Sequence, residues 1–147
     1  MMSASGELKM QYHPERVISG KGTARHEFAE ALRGLAIDAK DRLYAVGDSD
    51  LKVFSLEGKL LRSWRTERPG YSVAVAAAGT VYVGQAGQVQ VFDSEGKSLD
   101  TWRDTDRLGL VTAIGLVGDD VLLADIKDRC IRRYDKCGKF RNNIGKD

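Results

Sequence analysis

Apolar and polar residues alternate in short runs along most of the chain. The runs LYAV at 43–46, LKVF at 51–54 and VQVF at 89–92 illustrate a period of two. This period is typical of a β-strand that buries one face. Turn-forming clusters, such as DSD at 48–50 and EGK at 57–59, separate the runs. The pattern therefore predicts successive antiparallel hairpins whose turns use glycine where the backbone needs a positive φ.

The pattern repeats three times at intervals of roughly 40 residues. A Gly-Lys pair recurs at 58–59, 96–97 and 138–139, and an aromatic residue stands four positions before each of these glycines. Trp64 and Trp102 occupy one position of the repeat, and Ile144 takes that position in the third unit. Because the two tryptophans match in phase, we expect them to pack between units or at a rim instead of holding a ligand.

Four short strands in a unit of this length predict one blade of a β-propeller, because such a sheet needs neighbours to bury both faces. The predicted fold class is all-β, a propeller of four-stranded antiparallel blades of which three are present. The predicted segments are an N-terminal tail (1–15), a single strand with a linker (16–31), and blades at 32–68, 69–109 and 110–147.

Three blades are fewer than the four to eight that close a propeller. Either the chain is the N-terminal part of a longer propeller, or two copies associate as a homodimer of six blades. The strand expected at 16–19 has no first three strands before it, which favours the longer propeller.

The composition indicates one ordinary globular domain. The 147 residues are 42% hydrophobic and 30% charged, which excludes collagen-like, coiled-coil and disordered chains. The formal net charge of +2 argues against a dedicated polyanion binder. Acids dominate residues 93–125 and bases dominate residues 127–147. Either these two segments attract each other within the fold, or the basic segment binds an acidic partner.

Localisation and cofactors follow from what the sequence lacks. No apolar run reaches the length of a membrane span, and the first residues carry no secretory signal, so a cytoplasmic protein without a membrane partner is expected. Cys130 and Cys137 would lie too far apart along an extended strand for a disulfide, so both are expected as thiols. No catalytic, metal or cofactor site is assigned. The acids in the turns, including Asp48 and Asp125, are expected to cap the backbone, and His26 to pack the linker on the first blade.

The units resemble NHL repeats. The third unit keeps the family spacing best, with LLAD at 122–125, IRRYD at 131–135 and Gly-Lys at 138–139. The first two units are two residues shorter between the second and third strands, and residues 19–38 resemble the family's linker between blades. The resemblance implies a rigid, non-catalytic interaction scaffold that binds a protein or peptide. It leaves two alternatives: a metal-dependent lactonase-like or lyase-like enzyme whose ligands lie in other blades, and an RNA-binding domain.

Basic residues of the third unit are the candidate partner-binding residues. Arg133 stands where Val53 and Val91 stand, on a face that should meet a neighbouring blade. Either its head reaches the rim, or Arg132 and Arg133 bind an acidic group through their guanidinium forks. The candidate set comprises Lys127, Arg129, Arg132 and Arg133.

Overall fold

The computed structural model describes residues 21–145, and these residues form twelve β-strands and no helix. Sheet 1 contains β1 (Gly34–Ile37), β2 (Leu43–Gly47), β3 (Asp50–Phe54) and β4 (Leu60–Arg65). Sheet 2 contains β5 (Ser72–Val75), β6 (Val81–Gln85), β7 (Gln88–Phe92) and β8 (Ser98–Arg103). Sheet 3 contains β9 (Val111–Val117), β10 (Asp120–Asp125), β11 (Cys130–Asp135) and β12 (Phe140–Ile144). Each sheet is an antiparallel meander in chain order.

The predicted all-β class and the three four-stranded antiparallel sheets are confirmed. The sheets lie inside the predicted segments 32–68, 69–109 and 110–147. They do not close into a ring over residues 21–145. The strand expected at 16–19 lies outside the described residues. Among the residues that are described, no helix could cross a lipid bilayer.

One turn repeats between the third and fourth strands of every sheet. Gly58, Gly96 and Gly138 have φ values of 94°, 95° and 90°, in the left-handed region that favours glycine. The amide of each glycine donates to the carbonyl of the residue three positions earlier. The Gly-Lys pairs recur because each sheet uses this turn to reverse the chain.

The sheets stack so that each one covers the next. We call the side of a sheet that faces the following sheet its front face, and the other side its back face. The first joint packs Tyr44, Leu51 and Val53 on the front of sheet 1 against Val81, Val83 and Phe92 on the back of sheet 2. The second joint packs Tyr82, Val89 and Val91 of sheet 2 against Val121, Leu123 and Tyr134 of sheet 3. Contacts between sheets concentrate at their first strands, so the sheets fan out from that side.

A tryptophan closes each joint over the glycine turn of the following sheet. Trp64 lies 5.7 Å from the ring of Phe92, and Trp102 stacks 5.9 Å from the ring of Tyr134. A Cβ atom on Gly96 would approach Trp64 to 2.6 Å, and one on Gly138 would approach Trp102 to 2.5 Å. The prediction that both tryptophans pack between units is confirmed.

The segment before β1 covers part of the back face of sheet 1. Phe28 is buried there with Ala45 and Phe54. The amides of Ala29, Glu30 and Ala31 donate to the carboxylate of Asp48 at 2.8 to 2.9 Å. His26, for which packing was predicted, is exposed, and Phe28 is buried against sheet 1.

Candidate binding site at the long turn of sheet 3

A buried ion pair supports the turn between β10 and β11. Asp125 ends β10 with a fully buried side chain, and Arg132 on β11 is 4% exposed. The Arg132 Nε donates to Asp125 Oδ2 at 3.0 Å. The two residues meet because the β10–β11 hairpin pairs Leu123 with Arg132, which sets the guanidinium below the turn.

Asp125 remains a carboxylate because it accepts several hydrogen bonds. Burial works to raise its pKa, but donors from Gly109, Arg132, Asp128 and Lys127 outweigh it and hold the pKa below the ordinary value. The amides of Gly109 and Lys127 each lie 3.0 Å from the carboxylate. Asp125 therefore connects the linker before sheet 3, the turn at 126–129 and β11. The expectation of backbone capping is confirmed, and the ion pair adds to it.

Arg132 holds the turn from the other side. Its Nη2 donates to Asp128 within the turn, and its Nη1 donates to the Asn143 side chain on β12 at 3.1 Å. Three internal partners thus surround this guanidinium. Of the four candidate partner-binding residues, Arg132 is the one whose side chain is buried and engaged within the chain.

The positions of Asp125 and Arg132 carry other residues in sheets 1 and 2. In sheet 2, Gln85 donates to Gln90 at 2.8 Å and to the linker carbonyl of Arg68 at 3.0 Å. In sheet 1, glycine ends β2, and Lys52 donates to the linker carbonyl of Arg25 beside the Phe28 ring. The three polar positions stand two residues before the recurring aromatic: Lys52, Gln90 and Arg132. Because these three polar residues occupy the same position of the repeat, the sequence could have indicated that each sheet has buried polar contacts with its linker.

The turn above this pair is longer than its counterparts. Four residues, 126–129, join β10 to β11, whereas two residues join the corresponding strands of sheets 1 and 2. The predicted difference of two residues is confirmed. We call residues 126–129 the long turn. Arg129 adopts a φ of 55°, the left-handed conformation that reverses the chain there.

The long turn exposes one aliphatic side chain and two cations. Ile126 is 54% exposed, and Lys127 and Arg129 are exposed beside it. Neither cation has an ion-pair partner within residues 21–145. A depression of about 360 Å³ adjoins the turn, and most of its wall is apolar: Ala124, Ile126, Cys130, Ile131 and Ile144. Arg129 and the ion-paired Asp125 also line it. Such a site can receive an aliphatic side chain together with a carboxylate.

Arg133 lies apart from the turn, on the front face of sheet 3. In the strand register it lies opposite Leu122 and Asn142. As predicted, it takes the place in sheet 3 that Val53 has in sheet 1 and Val91 has in sheet 2. Its side chain is 41% exposed and lies 3.8 Å from Asp120. The buried Nε has no hydrogen-bond partner among the described residues. The structure therefore brings Lys127 and Arg129 together and separates Arg133 from them.

Most charges of the basic segment meet acids of the same sheet. Lys136 pairs with Asp119 at 3.3 Å, and Arg141 lies 3.7 Å from Asp135. The pair with Asp119, and the pairs that Arg132 and Arg133 make with Asp125 and Asp120, support the first alternative, attraction between the acidic and basic segments within the fold. Asp135 belongs to the basic segment itself. The described part of sheet 3 thus presents few uncompensated cations outside the long turn.

Other reactive groups of the described residues do not cluster. No group of three or more His, Cys, Asp or Glu side chains within 21–145 could hold a metal ion. Cys130 is a buried free thiol and Cys137 an exposed one, as expected. No protein-family model matches the chain, and the search of curated proteins gave no match either.

Proposed function

We propose that this chain is a non-catalytic segment of an NHL-like β-propeller that works as an interaction scaffold. Its long turn binds a protein or peptide that presents an aliphatic side chain next to acidic groups. One observation carries the proposal: Ile126, Lys127 and Arg129 are exposed on a turn that a buried ion pair holds in place. The repeat motifs and the three stacked sheets support the relation to NHL repeats.

The fixed shape of the turn favours binding. A partner that meets a mobile loop must order it, at a cost of about 0.5–1.5 kcal/mol for each long side chain. Here Asp125 accepts amides of the turn, and Arg132 bonds Asp128 within it, so much of the backbone is already ordered. Lys127 and Arg129 then supply charge and bidentate hydrogen bonds to a carboxylate, while the apolar depression receives the aliphatic group.

Selection from a peptide display library against the full chain tests this proposal. We expect enriched peptides to combine acidic and aliphatic residues and to bind about tenfold or more weakly to the variant Lys127→Gln/Arg129→Asn. Asparagine is chosen at position 129 because it tolerates the left-handed backbone. Lys139→Gln, at the opposite end of the same sheet, is the matched control. Equal affinity for the double variant and the wild type would refute the long turn as the site.

Two further measurements separate the alternative functions. A saturable rise in melting temperature with a divalent metal would support the metal-dependent enzyme. A steep loss of RNA affinity with increasing salt would support a nucleic-acid-binding domain. The scaffold proposal predicts neither response.

A further inference from the structure

The two joints inside the chain are built from the same parts. In each joint, a tyrosine, two aliphatic residues and a tryptophan on a front face meet a back face and its glycine turn. The first strand of the receiving sheet takes part, because Val73 of β5 is only 6% exposed. A front face and a back face of this kind are therefore complementary surfaces.

Within residues 21–145, the front face of sheet 3 and the first strand on the back face of sheet 1 lack the partner sheet that the corresponding surfaces have in the two joints. On the front of sheet 3, Ile131 is 40% exposed at the position of Leu51 and Val89, which are fully buried. On the back of sheet 1, Leu35 and Ile37 are 60% and 57% exposed, although Leu35 corresponds to Val73. Phe28 covers β2 and β3 of that back face at Ala45 and Phe54, and within residues 21–145 nothing covers its first strand.

The position of Arg133 suits a further front-to-back joint at sheet 3. In sheet 1, the residue opposite Val53 is Arg62, whose Nη1 donates to the carbonyl of Ser94 in the glycine turn of sheet 2. In sheet 3, the corresponding cross-strand pair is Arg133 and Asn142, so a guanidinium occupies the same place from the opposite strand. The residue of sheet 1 that corresponds to Ser94 is Leu56, which is 46% exposed. If sheet 1 of a second copy packed on sheet 3, its Leu56 carbonyl would lie near the Arg133 guanidinium.

We propose that a second copy of this chain occupies both open faces. The front face of sheet 3 in each copy packs on the back face of sheet 1 in the other, and Arg133 donates to the carbonyl of the second copy's Leu56. The pair contains six sheets, within the range of closed propellers. Two front faces do not pair instead, because that would bring the Arg133 side chains together. Ile126, Lys127 and Arg129 remain accessible in the pair, as Ala86 does beside the covered front face of sheet 2. Ala124, Ile131 and Ile144, which wall the depression, lie in the joint, so the second copy and a peptide in the depression compete.

Light scattering on the full chain tests the inference. We expect twice the mass of one chain for the wild type, and the mass of one chain for Ile37→Glu and for Ile131→Glu. Both positions are exposed in the single chain, so the substitutions leave its folding intact, which circular dichroism checks. Leu99→Glu, at an exposed leucine of sheet 2 away from both faces, should keep the doubled mass.

Mixing the two single variants gives a sharper outcome. One copy's intact front face can then meet the other copy's intact back face, so the mixture should form pairs at concentrations where neither variant pairs alone. A wild type with the mass of one chain, or a doubled mass that persists in both variants, would overturn the inference. Peptide binding to the long turn of Ile37→Glu tests the proposed function separately, because Ile37 belongs to sheet 1.

Discussion

The pair formed by Asp125 and Arg132 is the side-chain interaction that most affects the long turn. Its two side chains are 0% and 5% exposed, so removing one partner leaves a buried charge without compensation. We predict that Arg132→Met lowers the free energy of unfolding by about 3 kcal/mol and weakens peptide binding, measured by urea unfolding and titration. The variant Asp125→Gln/Arg132→Gln, which copies the Gln85 and Gln90 pair of sheet 2, should recover most of the stability. A neutral effect of Arg132→Met would show that the pair does not support the turn.

Carboxylates that accept several hydrogen bonds also set how stability depends on pH. The pKa of Asp125, and that of Asp48, is lower in the folded chain than the ordinary value of 3.8, because burial, which raises it, is outweighed by hydrogen-bond donors. A lowered pKa stabilises the fold above the unfolded value, and this contribution disappears as the pH falls through the folded value. We predict that the urea midpoint falls from about pH 5 towards about pH 2, and less steeply for Asp125→Asn. Equal slopes would contradict this role of Asp125.

At the scale of the strand and turn, the sequence predicted the features that depend only on residues close together in the chain. The period of two and the Gly-Lys turns predicted the strands because both signals lie within a few residues. The partners of Arg132 were missed because Asp125 and Asn143 reach it from other strands. Asp48 likewise binds amides at 29–31, which no local pattern indicates. The exposure of Lys127 and Arg129 depends on the length of one turn, and its two additional residues were visible in the repeat alignment.

The contact between each glycine turn and the preceding tryptophan is testable within sheet 2. Gly79 and Gly96 have φ values of 97° and 95°, but a Cβ would lie 3.5 Å from Ser94 at the first and 2.6 Å from Trp64 at the second. We predict that Gly96→Ala destabilises the chain by about 1–3 kcal/mol more than Gly79→Ala, because overpacking adds to the shared backbone strain. Chemical unfolding measures both variants. Equal losses would show that Trp64 does not close the joint over this turn.

At the scale of the whole molecule, three similar sheets are held by two equivalent joints, and their differences set the function we propose. Sheet 3 alone combines a four-residue turn, a buried Asp-Arg pair and exposed cations beside an apolar depression. Loops carried on rigid sheets can change their ligand without changing the core. In the function we propose, the repeated sheets hold the long turn in place and the long turn selects the partner.

A crystal structure of the full chain with a selected peptide tests the central claim most directly. We predict that an aliphatic side chain of the peptide lies against Ile126 in the depression and that a carboxylate lies within hydrogen-bond distance of the Arg129 guanidinium. A peptide seated at the glycine turns, or one added along the edge of an outer strand, would contradict the account.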